Sequence, residues 1–457
     1  MLIRVLSFRF ALGKMKNAIG ERTIKHKAYV AAICIALFQR LVYEISYIFL
    51  STCHLLPNTG KYAAKFCGQP ATFFVDVCFV EVCNLNRDVT GAMTSSPAND
   101  LAPDYALSAY DYELPSDRIA QDPVSPRDTS RLLVITKAAS GSSDGENQEQ
   151  QRQILHHHFY DLPQFLRSGD LLVFNNTKVI PARMYGRKLS GVPVEILLME
   201  PIGPDRWLAL VKPGKRLPVG STIVFADDVK ATVEGIDPTT RARELQFHIP
   251  KGAGLDKIID QLGKIPFPPY VTESHTDPER YQTIYAEIAG AIAAPTAGLH
   301  FTEELFAKLD AQGVDRAFVT LHVGIGTFRP VEVEDITKHE MHHEWCDVSE
   351  STIAKIKETK ARGGRVIGVG STVARSLEAA NYQPLRGKTN LMIYPSYEWQ
   401  VLDAMITNFH LPKSTLLMMV ASFLGERGRE FLLAAYQEAI AHEYRFYSFG
   451  DAMLIFR

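Results

Sequence analysis

Between Val192 and Ile249 the chain carries five short runs of strand-like character: VPVEILLME, RWLALVKP, STIVFA, KATVEGI and RELQFHI. Turn pairs such as Gly203-Pro204, Pro213-Gly214 and Asp237-Pro238 separate them. Strands this short cannot each bury a face alone, so the run predicts a small all-β unit, a barrel or sandwich. On both sides of it the texture differs. LLVITK (132–137) and GDLLVFNN read as buried strands, and ASGSSDGENQEQQRQ (139–153) as a polar surface loop. Downstream, EELFAKLDAQ and ESTIAKIKETKARGG have helical spacing, the second stopping at glycine, and STVARSLEAAN reads as a further helix. RAFVTLHV, RVIGVG and TNLMIYP alternate with these as strands. Such alternation predicts an α/β layer with a mostly parallel sheet. The expected fold is a Rossmann-like three-layer α/β domain, residues 105–181 and 263–457, interrupted by an inserted all-β barrel at 182–262.

Residues 1–104 do not share this texture and are read as an atypical N-terminal extension outside the catalytic fold. Residues 1–27 hold seven Lys/Arg against one acidic residue, Glu21. The apolar run from Ala28 to Phe38 is followed by Gln39, Arg40 and Glu44, which makes a poor membrane span. A small-x-small cleavage pattern does not follow closely, so a secretory signal is disfavoured too. The preferred reading is an over-extended start, with Met93 opening the cytosolic protein. Cys34, Cys53, Cys67, Cys78 and Cys83 all fall in this segment, leaving Cys346 alone in the body, as expected of a reducing, cytoplasmic compartment. Net charge is −2, so any nucleic-acid contact must come from local clusters.

VIGVGSTVARS (366–376) places Gly368 and Gly370 between a strand and a helix, in the manner of a dinucleotide fingerprint. The acidic residue expected about 20 positions on is missing from the next strand, which favours a plain βα turn over a nucleotide-binding oxidoreductase or methyltransferase. More telling are stretches that pack reactive side chains among glycines and prolines. AAPTAGLHF holds Thr296, Gly298 and His300; VTLHVGIGTFRPV holds His322, Gly324, Gly326 and Thr327. ITNFHLPKSTL adds Asn408 and His410, and YRFYSFGDAMLIF adds Arg445, Tyr447 and Asp451. HEMHHEW brings His339, His342, His343 and Glu344, but lacks the HExxH pattern, and no metal is expected.

Read in order, YELPSDRIAQDP, SRLLV, GDLLVFNNTKVIPAR, AAPTAGLHF, VTLHVGIGTFRPV, TNFHLPKSTL and YSFGDAML resemble the S-adenosylmethionine:tRNA ribosyltransferase-isomerases of queuosine synthesis, over residues 105–457. One departure is Ser396, where the family pattern favours glycine. The resemblance implies transfer of the ribosyl carbons of S-adenosylmethionine to 7-aminomethyl-7-deazaguanine at the wobble position of a tRNA. Adenine and methionine leave, and no cofactor beyond the consumed co-substrate is needed. That chemistry requires a base near the 5′ carbon acidified by the sulfonium, and an acid that assists departure of adenine. Two among His300, His322 and His410 are expected in these roles, with Glu344 or Asp451 orienting a histidine or facing the sulfonium. Gly298, Gly324 and Gly326 would admit the adenosyl ribose, Thr296, Thr327 and Asn408 would bind it, and Phe301 or Phe328 would stack on adenine or sulfonium. For tRNA, the expected basic groups are Arg183, Arg187 and Lys188, with Lys212, Lys215 and Arg216 in a turn of the barrel. The chain is expected to act as a monomer, without a membrane. A non-catalytic RNA-binding module is the competing reading, and it leaves the clustered histidines without a role.

Overall fold

A computed structural model of the chain describes residues 101–137, 152–268, 270–271, 276–324, 326 and 330–457. Residues 1–100, most of the 139–153 stretch, Thr327 and Phe328 lie outside the described residues, and with them the readings of the extension and of those two side chains.

The first part of the α/β domain supplies β1 (Arg131–Lys137), β2 (Arg152–His158), β3 (Leu171–Asn175) and β4 (Thr177–Val179). The inserted segment holds β5 (Arg183–Lys188), β6 (Pro193–Gly203), β7 (Arg206–Lys212), β8 (Thr222–Ala226), β9 (Val229–Ile236), β10 (Arg243–His248), α1 (Leu255–Leu262) and β11 (Gly263–Lys264). There follow β12 (Ile288–Ala291), α2 (Glu303–Ala311), β13 (Asp315–Leu321), β14 (Glu344–Val348), α3 (Glu350–Ala361), β15 (Val366–Val369) and α4 (Ser371–Ala380). The remainder comprises β16 (Leu385–Thr389), β17 (Ala404–Asn408), α5 (Thr415–Phe423), α6 (Gly428–Ala441) and β18 (Ala452–Phe456).

Nine strands form one mixed sheet in the order β16-β14-β13-β3-β15-β17-β18-β1-β2. Every residue of β3, β15 and β17 is buried, because layers cover both faces. Alternate residues therefore enter two cores. Leu133, Val173, Val319 and Met405 pack with α3, α4, α5 and α6, while Val134, Phe174, Val369 and Ile406 pack with α2 and the turn at Phe159–Phe165. This is the expected three-layer build. The expectation of a mostly parallel sheet holds only at the centre, where β13, β3, β15 and β17 run parallel. β18 pairs antiparallel with β17, and β14 and β16 extend the other edge antiparallel. The strand expected at TNLMIYP lies upstream instead, as β16. Leu391, Met392 and Tyr394 pack against the core from irregular chain, with the Leu391 carbonyl held by Arg375 Nε at 3.0 Å. Arg152 and Gln153, read as the end of a loop, begin β2.

In the insert, six strands run β5-β6-β7-β10-β9-β8 and close through β5 against β8, with β11 added on β5. Met184, Ile196, Ala209, Ile223, Ala231 and Leu245 point inward, as the period-two pattern dictates. At the closing seam Gly186 lets the strands approach, since a Cβ there would lie 2.7 Å from the Val224 carbonyl oxygen.

Candidate active site

The parallel strands β15 and β17 end side by side, and an α/β sheet offers its ligand crevice at such carboxyl ends. A cleft with about 590 Å³ of empty space opens there. After β15 the chain turns through Gly370, at φ +95°, a left-handed conformation that glycine adopts without strain, and enters α4 with no side-chain cap. Gly370, Ser371 and Thr372 thus present an uncapped helix N-terminus to the cleft. Asn408, the last residue of β17, and His410 just beyond it form another wall; Pro295, Thr296 and Ala297 a third.

A hydrogen-bonded chain ties these walls together. Thr296 Oγ1 donates to Asn408 Oδ1 at 2.8 Å, and Asn408 Nδ2 donates to His300 Nε2 at 3.2 Å. His300 Nδ1 reaches Ser130 Oγ at 2.7 Å, and its ring stacks on Phe159. With Nε2 accepting, the neutral ring carries its proton on Nδ1. Burial pushes His300 down to about 3, helped by the nearby Arg445 and Arg127 guanidiniums. Burial alone pushes His410 down to about 3 as well. Its Nε2 pairs with Thr407 Oγ1 at 2.9 Å, while its backbone N–H donates to Tyr436 Oη and its carbonyl accepts from Tyr112. Both rings are therefore neutral at physiological pH: each can act as a base, though a weak one, and neither is charged to act as an acid.

His322 stands apart from this group. It lies just past β13, stacks on Trp345, and pairs through Nδ1 with Thr177 Oγ1 at 2.8 Å. It is partly exposed, and burial lowers its pKa. Glu344 forms a buried ion pair with Arg375 and accepts the Gly324 N–H at 3.2 Å, so it fastens the Gly324 loop to α4. Asp451 accepts the backbone N–H groups of Arg131 (2.8 Å) and Arg445 (2.7 Å), which pins β1 beside β18. Desolvation raises its pKa despite those bonds. The space at Gly298 is filled by Tyr285, whose hydroxyl oxygen would lie 1.8 Å from an added Cβ; at Gly326 the neighbour is His342. Of these three glycines, Gly324 alone faces open space. Phe301 is wholly buried among Phe159, Phe174 and Phe306, a core position. Arg183, Arg187 and Lys188 stand on β5 of the barrel, where Arg183 pairs with Glu195 and Lys188 with the Arg216 carbonyl.

Tyr447, singled out in the sequence, lines the cleft, and several other cleft residues are not evident from the sequence patterns: Tyr281, Ser371, Thr372, Thr407, Phe409 and Ser448. The glycine turn at Gly368–Gly370 is the available signal for two of them, because a strand-to-helix turn can serve ligands other than a dinucleotide.

The family described as Queuosine biosynthesis protein matches residues 107–455. The chain belongs to this family. A relative from Nostoc sp., named S-adenosylmethionine:tRNA ribosyltransferase-isomerase, is 52% identical, the match covering 82% of this chain and 97% of the relative. One of the same name from Natranaerobius thermophilus is 47% identical, over 76% and 99% of the two chains. A crystal structure of S-adenosylmethionine tRNA ribosyltransferase from Thermotoga maritima matches 76% of this chain and 99% of that one, at 38% identity and a TM-score of 0.42. As a member of the queuosine biosynthesis family, the chain carries the match through both parts of the α/β domain and the barrel between them.

Proposed function

We propose that the protein is an S-adenosylmethionine:tRNA ribosyltransferase-isomerase that moves and isomerises the ribosyl group of S-adenosylmethionine onto 7-aminomethyl-7-deazaguanine at a tRNA wobble position. Adenine and methionine are released, and the product is epoxyqueuosine-tRNA. The family match over residues 107–455 is the observation that carries this reading.

The cleft suits a nucleoside-like co-substrate. Thr296, Ser371, Thr372 and Asn408 offer hydroxyl and amide groups for ribose, and small side chains at Ala293, Ala294 and Ala297 leave room for a base. Phe409 and Tyr447 supply aromatic surface, and a ring face beside a sulfonium is worth roughly 0.5–2 kcal/mol. Acid and base duties fall among His300, His322 and His410. His410, neutral on the cleft wall, is the acceptor for the acidified 5′ proton; His322, the least buried of the three, takes the acid role, although burial lowers its pKa too. Asp451 and Glu344 act as positioning residues, through the backbone they hold. The protein works as a cytoplasmic monomer on tRNA, with S-adenosylmethionine consumed and no metal. No helix among the described residues is long and apolar enough to cross a membrane.

Adenine release from S-adenosylmethionine, measured with and without tRNA bearing the aminomethyl-deazaguanine, tests the reading. Adenine and methionine in equal amounts, only with that tRNA and with a matching mass gain on the modified base, are the expected result. A methylated product would move the protein to the methyltransferases. Near-native turnover in His300→Ala, His322→Ala and His410→Ala alike would refute the histidine roles.

A further inference from the structure

A second, smaller recess, open to solvent, adjoins the cleft at Ser448, which lines both. Arg127, Arg280 and His300 lie in its wall beside Phe449 and Gly450. Arg127 Nη1 donates to the carbonyls of Gln282 (2.7 Å) and Leu299 (3.5 Å), and Arg280 Nη2 to that of Val124 (2.6 Å). Those bonds fix where the guanidiniums point without neutralising them. Among the described residues, neither has a carboxylate within ion-pair distance, and Arg280 Nε is buried with no hydrogen-bond partner. The charged groups around the recess are close enough to act on one another: Arg280 disfavours the charge on Arg127, and Arg127 and Arg445 disfavour protonation of His300. Arg445 differs from the other two, because Asp451 and Asp122 offset its charge.

Two partly buried like charges held together without a counter-charge are costly, and the cost is recovered when an anion enters. Nothing in the wall can supply that charge, since His300 is neutral or positive at any pH. The planar guanidinium fork matches a carboxylate or a phosphodiester far better than it matches water.

We propose that this recess is an oxyanion subsite in which Arg127 and Arg280 hold one negatively charged group of a substrate whose other part occupies the cleft. The proposal rests on the transferase-isomerase reading for the identity of that substrate. Under it the oxyanion has two sources, the carboxylate of the methionine portion of S-adenosylmethionine or a phosphodiester of the tRNA.

Calorimetric titration of the full chain and of Arg280→Gln separates them, with S-adenosylmethionine, its decarboxylated analogue, tRNA and inorganic sulfate as probes. If the carboxylate is the ligand, Arg280→Gln weakens S-adenosylmethionine binding about 10-fold to 100-fold and leaves the decarboxylated analogue unchanged. If a phosphodiester is the ligand, tRNA affinity falls instead, and its log–log salt slope loses about one unit. Unchanged affinity for all four probes, in a variant with the wild-type thermal transition, would overturn the subsite. Arg280→Lys, which keeps the charge, should retain part of the binding and guards against a folding defect in the first variant. A wild-type chain that binds sulfate through Arg280 but releases no adenine would remove the transferase-isomerase reading and leave the subsite standing.

Discussion

At the scale of single residues, burial decides more than residue type. His300 and His410 are held near 3 against an unfolded value of about 6.5. Between those values the unfolded chain binds protons that the folded chain refuses. Their contribution to stability is complete above about pH 6.5 and is lost as pH falls toward 3, at about 1.4 kcal/mol per pH unit for each ring. Urea midpoints at pH 7.5 and pH 5 should therefore fall less in His410→Gln than in the wild-type chain; equal falls would show that the ring is not held neutral. Ser396 makes the opposite point about legibility. The family pattern marks it as a serine in a glycine place, and the backbone there takes φ +77°, with Oγ bonded to Tyr105 Oη at 2.7 Å. Ser396→Gly should stabilise the protein by about 1 kcal/mol, read as a higher melting temperature, because left-handed serine is strained. A lower one would mean that the Tyr105 bond outweighs the strain. Gly298 is legible as a special position but not as to its cause, since the Tyr285 hydroxyl that fills its space lies thirteen residues away in sequence.

Among elements, the same contrast separates local from long-range information. The barrel strands and α2, α3 and α4 follow from periodicity, because each one's pattern is contained in its own residues. The direction of β18 relative to β17 is not, since the choice of sheet neighbour is made by distant chain. TNLMIYP is apolar enough for a strand, yet burial alone satisfies apolar side chains, and the ladder position beside β14 goes to LRGKT. The loop after β13 depends on a tether that no pattern reveals. Glu344 on β14 holds the Gly324 N–H and pairs with Arg375 on α4, whose Nη2 is buried without a further partner. Glu344→Gln leaves that guanidinium uncompensated and should cost about 3–5 kcal/mol in urea unfolding, whereas replacing both residues by leucine should cost much less. Equal losses for the single and double changes would show that the pair is not the tether.

Over the whole molecule, a net charge of −2 means that tRNA attraction must be local. Arg187 is exposed on the barrel while Arg183 is engaged by Glu195, so the two should not contribute equally. Joint replacement of Arg187, Lys188 and Lys215 by glutamine should weaken tRNA binding and flatten its salt dependence by about 0.7–0.9 for each phosphate no longer neutralised, with S-adenosylmethionine affinity unchanged. An unaltered salt slope would take the barrel out of RNA recognition. The sheet order has a further consequence, one in time. β1 sits beside β18, though the paired Arg131 and Asp451 are separated by 320 residues. The block β13-β3-β15-β17 can assemble without them, but β1 and β2 join the sheet only through β18. Ser130, Asp451 and the His300 bond to Asn408 meet across that junction, so pairings with the largest loop-closure cost set the geometry of the site. During synthesis, from the emergence of β11 until β18 follows, a ribosome would hold a protein with its barrel folded and its chemistry not yet assembled.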